Sequence, residues 1–186
     1  MALVNAESVG IVLSAATLAV IGATAIAAIV QLRHLRASNQ LSALLEILDQ
    51  WNQPAFQAAY THFFKELPAK VHDKDFQKLL ESPRLLDRAS YPEFLVFDFW
   101  EQVGTYAKHD LVDEAILLDI VSSQVVNAWR TAWPVIESMR RFVGPAICEN
   151  FEYLAVKAEL FNKRFSDGTY PRGLPRMADL GAPKTP

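Results

Sequence analysis

Hydrophobic residues are distributed along this chain in two different patterns. From Val9 to Leu32 the sequence is apolar almost without interruption and contains no charged side chain. As a helix rising about 1.5 Å per residue, this run is about 36 Å long, enough to cross a hydrocarbon core of about 30 Å. The pattern therefore predicts a transmembrane helix over residues 9–32, with a short N-terminus of residues 1–8 outside the membrane.

A cleaved signal peptide is the alternative interpretation of this run, because the small residues near Ala27 and Ala28 resemble a cleavage region. The leader carries no Lys or Arg, however, and the run exceeds the roughly 7–15 residues of a signal-peptide core. We therefore expect a retained anchor.

After the run, apolar residues recur at helical spacing. No Pro or Gly lies between Gly22 and Pro54, so the span can continue as one helix through a juxtamembrane segment of residues 33–52. Alternatively, the polar residues 37–40 break it and Asn39 caps a new helix. In either case this segment carries an apolar stripe that we expect to pack into a core, formed by Leu41, Leu44, Leu45, Leu48 and Trp51.

Residues 53–165 carry the start and stop signals of a multi-helix bundle. These signals predict helices over about 54–68, 73–81, 91–108, 113–133 and 146–165, with a turn or a short helical piece at 84–89. The 91–108 helix is apolar on nearly all sides, so we expect it at the centre, and Pro134 should kink or restart the helix it follows. Strand patterns are missing from the sequence, which predicts an all-α fold.

The last segment, residues 166–186, has a different composition, because seven of its 21 residues are Pro or Gly. We expect an irregular tail. One stretch of it is a candidate for docking in a partner's groove, although a mobile terminus is the favoured interpretation. The candidate residues are Tyr170, Pro171, Arg172, Leu174 and Pro175.

Charge adds an orientation. The span is followed by Arg33, His34 and Arg36 and is preceded by no basic side chain. The positive-inside rule then predicts that the bundle lies on the cytoplasmic side of the membrane. The net charge of −3 gives no support for a nucleic-acid partner, and the single cysteine, Cys148, excludes an internal disulfide.

Within the span, small residues recur at about every fourth position and share one side of the helix. Such residues let two helices approach closely, which predicts packing against another membrane protein or a second copy, although Ala-rich anchors also show this spacing by chance. The residues are Ala15, Ala19, Gly22, Ala23 and Ala27.

Candidate chemistry is sparse. The four histidines fall in no zinc or di-iron motif, no phosphate-binding or nucleophile motif occurs, and Cys148 has the surroundings of a small core residue. We expect no cofactor, no metal and no catalytic residues.

The most unusual polar feature is a pair of carboxylates, Asp98 and Glu101, one turn apart on the apolar 91–108 helix. They form either a proton-handling or cation-binding pair, or a buried polar cluster with arginines such as Arg130 and Arg140. We favour the structural cluster.

Several short motifs together resemble a bacterial domain-of-unknown-function family of small membrane-anchored helical proteins. They are Gln31-Leu32-Arg33, residues 97–104, residues 129–134 with Arg140-Arg141, and residues 151–155. The resemblance extends to about Phe165 and implies one anchor, a cytoplasmic helical domain and no assigned activity.

These features favour a non-enzymatic, single-pass protein that acts as an accessory subunit or scaffold at the membrane. The alternatives are a membrane-tethered enzyme or ligand-binding domain that uses Asp98 and Glu101, and a channel-forming peptide.

Overall fold

A computed structural model describes residues 6–81 and 86–181 of the chain. Within these ranges the regular structure is helical and no strand occurs, which confirms the predicted all-α fold. Residues 1–5 of the predicted N-terminus, part of the predicted 84–89 helix and the last five residues of the tail lie outside the described residues. The helices are α1 (Ala6–Asn52), α2 (Pro54–Lys70), α3 (Lys74–Leu79), α4 (Phe94–Lys108), α5 (Glu114–Val143) and α6 (Glu149–Arg164).

Helix α1 joins the predicted span and the juxtamembrane segment into one uninterrupted helix of 47 residues. The alternative break at Asn39 is wrong, because neighbouring polar side chains bond within the helix instead of ending it: the Ser42 hydroxyl donates to the Ser38 carbonyl at 3.0 Å. Every residue from 9 to 39 is exposed. By length and composition, α1 is the one helix in the described chain that could cross a membrane.

The last turns of α1 attach it to the rest of the protein. Leu44 and Ile47 are buried, and the ring of Trp51 packs 5.6 Å from Trp100 and 4.8 Å from Tyr60. The predicted apolar stripe is therefore core only in part, because Leu41 and Leu45, on its edge, remain 56% and 57% exposed.

Helix α4 lies at the centre of the bundle, as predicted, and packs against α2, α5 and α6. The ring centroid of Phe97 in α4 lies 5.7 Å from that of Phe63 in α2. The ring of Trp100 stacks on Phe151 of α6, with 6.3 Å between the ring centroids. At Gly104 the backbones of α4 and α6 approach closely, since a Cβ there would lie 2.1 Å from the Asn150 carbonyl oxygen.

Two predicted helix ends, at residue 68 and at residue 133, are wrong, because the helices continue past these positions. Pro134 lies inside α5, which continues to Val143, and Pro68 lies in the last turn of α2. A proline in a helix interior costs about 3 kcal/mol. Helix α5 continues past Pro134 because Val135 and Ile136 are fully buried, so the next turns bury apolar surface that offsets this cost.

Candidate functional site

The small residues of the predicted span form an open surface. No residue of the ladder from Ala15 to Ala27 is buried, and a Cβ added to Gly22 would meet nothing within 4 Å. The described chain itself therefore provides no partner for this face of α1.

Asp98 and Glu101 border a cavity of about 310 Å³ between α4, the end of α5 and the turn before α6. Its other walls are mainly apolar and include Phe97 and Met139, and Cys148 closes one side. The structure thus brings the two carboxylates and the only cysteine to one cavity, within the usual size range of ligand pockets.

The Glu101 carboxylate is fully engaged at the start of α6. Its two oxygens accept the backbone N–H of Phe151 at 2.9 Å and the side-chain amide of Asn150 at 2.9 Å, and the Asn150 backbone N–H lies 3.3 Å away. The residue preceding α6, Cys148, has left-handed backbone (φ 55°) and provides no side-chain cap. Glu101 therefore caps α6 from another helix.

Asp98 has a different partner. Its oxygens accept two hydrogen bonds from the Arg88 guanidinium, at 2.8 and 2.9 Å, and its side chain is 53% exposed. This bidentate pair lies at the surface, where the cavity opens.

The predicted buried cluster of Asp98, Glu101, Arg130 and Arg140 is wrong. Arg130 is 67% exposed and pairs with Glu159 at 3.2 Å, while Arg140 bonds the Ile147 carbonyl at 3.0 Å and Glu152 at 2.8 Å. The physical reason is that α5 packs directly on α6. Its arginines therefore meet the acidic residues of α6 before they can reach α4.

Cys148 is not an activated nucleophile. Burial raises the pKa of its thiol to about 12, with the Glu101 charge adding to the rise and Arg140 opposing it. The thiol therefore stays protonated at neutral pH, whereas reactive cysteines have a lowered pKa.

Comparison with known proteins places the chain in a family. A family model described as a domain of unknown function (DUF4760) matches residues 18–158, more than half of the chain. This chain belongs to the DUF4760 family. The match confirms the resemblance to a domain-of-unknown-function family, and it extends from the apolar part of α1 into α6. Neither the curated proteins nor the solved structures gave a match.

Inside the DUF4760 region, the structure shows a polar group that the sequence pattern did not reveal. Glu93 is fully buried before α4, and its oxygens lie 2.8 Å from the Lys70 ammonium and 3.3 Å from Nε2 of His62. The group ties the end of α2 to the start of α4. The partners are far apart in sequence, and the only signal was an acidic residue between the aromatic Tyr91 and Phe94.

The tail follows the DUF4760 match, and its described part is irregular apart from a 3₁₀ turn at Met177–Leu180. Tyr170 folds back on the tail, since its hydroxyl donates to the Pro175 carbonyl at 2.9 Å and its ring lies 3.9 Å from the Arg176 guanidinium. Pro171, Arg172 and Leu174 are exposed. Partner binding by these tail residues stays a prediction.

Proposed function

We propose that this DUF4760 protein is a single-pass protein of the bacterial inner membrane that acts as a non-enzymatic accessory subunit or scaffold. It binds other membrane proteins, or a second copy, through its span and holds a helical domain beside them in the cytoplasm. The observation that carries the proposal is the apolar half of α1, whose residues 9–39 are all exposed. Such a surface is unstable in water, whereas a bilayer covers it and leaves the helix backbone satisfied.

The orientation is supported by charge. Arg33 and Arg36 follow the apolar run immediately and are exposed, and the described residues from 9 to 32 contain no charge. Basic residues at this end favour a cytoplasmic location of the domain.

The binding face is supported by geometry on α1. Leu41 and Leu45 follow Ala23 and Ala27 along α1 by about five full helical turns. All four residues therefore lie on the same side of the helix. Leu41 and Leu45 are exposed beyond the apolar run. The small-residue face thus continues into the juxtamembrane segment as an apolar face, which suits a partner helix that also leaves the membrane.

The experiment compares two double variants of the full tagged chain, purified from native membranes in mild detergent. Ala19→Leu with Ala23→Leu replaces two small side chains of the small-residue face with large ones, which prevents close approach of a second helix. Ala25→Leu with Ala28→Leu makes the same change on the opposite side, given about 100° per residue. We expect the first pair to lose the co-purifying partner or dimer and the control pair to retain it, with both proteins still in the membrane. A strictly monomeric wild-type particle without a partner contradicts the proposal.

The cavity beside Asp98 and Glu101 is the observation that favours the alternative, a membrane-tethered enzyme or ligand-binding domain. It supports that function less well, because Arg88 and the start of α6 already engage both carboxylates. A small molecule that co-purifies with wild type and is lost in Met139→Trp, which fills the cavity, would favour the alternative.

A further inference from the structure

We propose that the loop between α4 and α5, residues 109–113, docks on the headgroup layer of the bilayer and inserts Leu111 at the boundary with the acyl chains. The partner is an anionic phospholipid surface. This inference rests on the proposed function, because it requires α1 to span the membrane.

The loop lies beside the part of α1 that follows the apolar run. Helices α1 and α4 are antiparallel, since Trp51 packs on Trp100 at 5.6 Å, whereas Gln40 donates to the Asp110 carbonyl at 3.1 Å. Arg36 also pairs with the Asp110 carboxylate at 3.4 Å. The C-terminal end of α4 therefore points back toward the predicted membrane.

The depth of the loop follows from the helical rise. Arg36 lies four residues beyond Leu32, the last residue of the apolar run, which is about 6 Å along the helix axis. The headgroup layer on each side of the hydrocarbon core is about 5–8 Å thick. Asp110 contacts both Arg36 and Gln40, which lies about 12 Å beyond Leu32, so the loop lies at the outer part of this layer.

The loop presents one apolar side chain outward. Leu111 is 52% exposed, while the next residue, Val112, is 1% exposed and fixes the loop to the core. Asp110 has left-handed backbone (φ 56°), and the Leu111 N–H donates to the Tyr106 carbonyl at 2.9 Å. Leu111 is thus held outward by a fixed turn, and insertion at the acyl boundary would cover its apolar surface.

Charge around the loop suits anionic headgroups. The acidic residues of this region have partners within the protein: Asp110, itself exposed, pairs with Arg36, Asp113 caps α5 through the Ile116 N–H at 3.0 Å, and Glu114 pairs with Lys157 at 2.8 Å. Lys108 likewise pairs with Glu149 at 3.4 Å. Arg33, at the end of the apolar run, is exposed, and its cation attracts anionic lipid.

Phe142 provides a matched control at the other end of the bundle. It is 58% exposed and borders Lys78 of α3. Helix α3 follows Lys70, which pairs with Glu93 at the start of α4. The 15 residues of α4 separate that start from the loop by about 21 Å. Phe142 is therefore as exposed as Leu111 but lies away from the predicted membrane.

The test measures the depth of single spin labels on the full chain in lipid nanodiscs that contain anionic phospholipid. In a Cys148→Ala background, labels are attached to Leu111→Cys, Phe142→Cys and Ala25→Cys, and each protein is checked for unchanged helical content. Ala25 lies in the apolar run on the side of α1 opposite the small-residue face. Collisions with oxygen, which enriches in lipid, are compared with collisions with a water-soluble nickel chelate. We expect the oxygen-to-nickel accessibility ratio at position 111 to exceed that at position 142 several-fold, with position 25 higher still.

The outcomes separate the two proposals. A label at position 111 that behaves like the one at 142, while position 25 lies in the hydrocarbon, overturns the docked loop and leaves the span intact. A label at position 25 in water overturns both. A label at position 111 that is shielded from both reagents shows that protein, such as a second copy, covers Leu111 and overturns the lipid contact.

Discussion

The carboxylate of Glu101 on α4 accepts the backbone N–H of Phe151 at the start of α6, at 2.9 Å. The first N–H groups of a helix have no partner within the helix, and a negative charge there also interacts favourably with the helix dipole. Because Cys148 provides no side-chain cap, this bond between residues 50 positions apart replaces a local one. Glu101 thereby fixes where α6 begins on the surface of α4.

Glu101→Ala should lower the free energy of unfolding by about 2 kcal/mol, because it removes a cap and a charge-assisted hydrogen bond. Urea unfolding of the full chain in detergent micelles, followed by tryptophan fluorescence, measures this change. Asp98→Ala, one turn away, is the control: its pair with Arg88 is half exposed, so we expect a loss below about 1 kcal/mol. An unchanged stability of Glu101→Ala together with loss of a biological activity would point to a functional carboxylate instead.

Gly104→Ala should destabilise the packing of α4 on α6. The added Cβ would lie 2.1 Å from the Asn150 carbonyl oxygen, so the helices must separate. We expect a loss of about 1–3 kcal/mol, despite a gain of up to about 1 kcal/mol in helix propensity. Gly10→Ala makes the same change in α1, on the side opposite the small-residue face, where the Cβ meets nothing within 4 Å. Equal unfolding curves for the two variants would show that the close approach does not matter.

Hydrophobic pattern predicted the helices better than it predicted their ends or their polar contacts. The central α4 and the all-α fold follow from spacing alone, since burial of apolar faces decides them, whereas spacing leaves open whether α1 breaks at Asn39. Local propensity predicts a kink or a restart at Pro134, yet α5 continues to Val143, because the next turn buries Val135 and Ile136. Tertiary packing outweighed the local signal there.

The candidate site shows a different limit. Spacing placed Asp98 and Glu101 on one helix correctly, but the choice of partner depends on which helices touch. Glu101 accepts backbone N–H groups at a helix N-terminus, and the sequence does not identify them because every residue except proline carries one. The pair of Lys70 and Glu93 was missed for a related reason, because each residue alone looks like an ordinary surface charge.

Lys70→Met should destabilise the domain by about 2–4 kcal/mol, because it leaves the fully buried Glu93 without its closest cation. The full chain in detergent is again unfolded with urea. Lys65→Met is the matched control, since Lys65 is 78% exposed and its contact with Glu66 is 3.8 Å long, and we expect a change below about 0.5 kcal/mol. Adding Glu93→Gln to Lys70→Met should restore part of the loss by removing the buried charge. Equal effects of the two lysine variants would argue against a buried ion pair.

The thiol of Cys148 should react slowly with an alkylating reagent in the folded chain, and the rate should keep rising with pH beyond pH 10. Burial raises its pKa to about 12 from an ordinary 9.0. At pH 8 the folded protein then contains about a thousandfold less thiolate than the unfolded chain, and the thiolate is the reactive form. The same shift gives a stability effect of defined sign. The unfolded thiol loses its proton first, so its contribution to stability is complete below about pH 9 and declines as pH rises toward 12.

Two measurements on the full chain check the behaviour of Cys148. Iodoacetamide labelling is followed by mass spectrometry between pH 7 and pH 11, in the folded state and in urea, and we expect slow labelling only when the chain is folded. The alkaline loss of stability is compared between wild type and Cys148→Ala. The difference should appear above about pH 9, because other titrating groups are common to both proteins. Rapid labelling of the folded chain at pH 7 would mean that the thiol is exposed and activated, which would return Cys148 to the list of candidate nucleophiles.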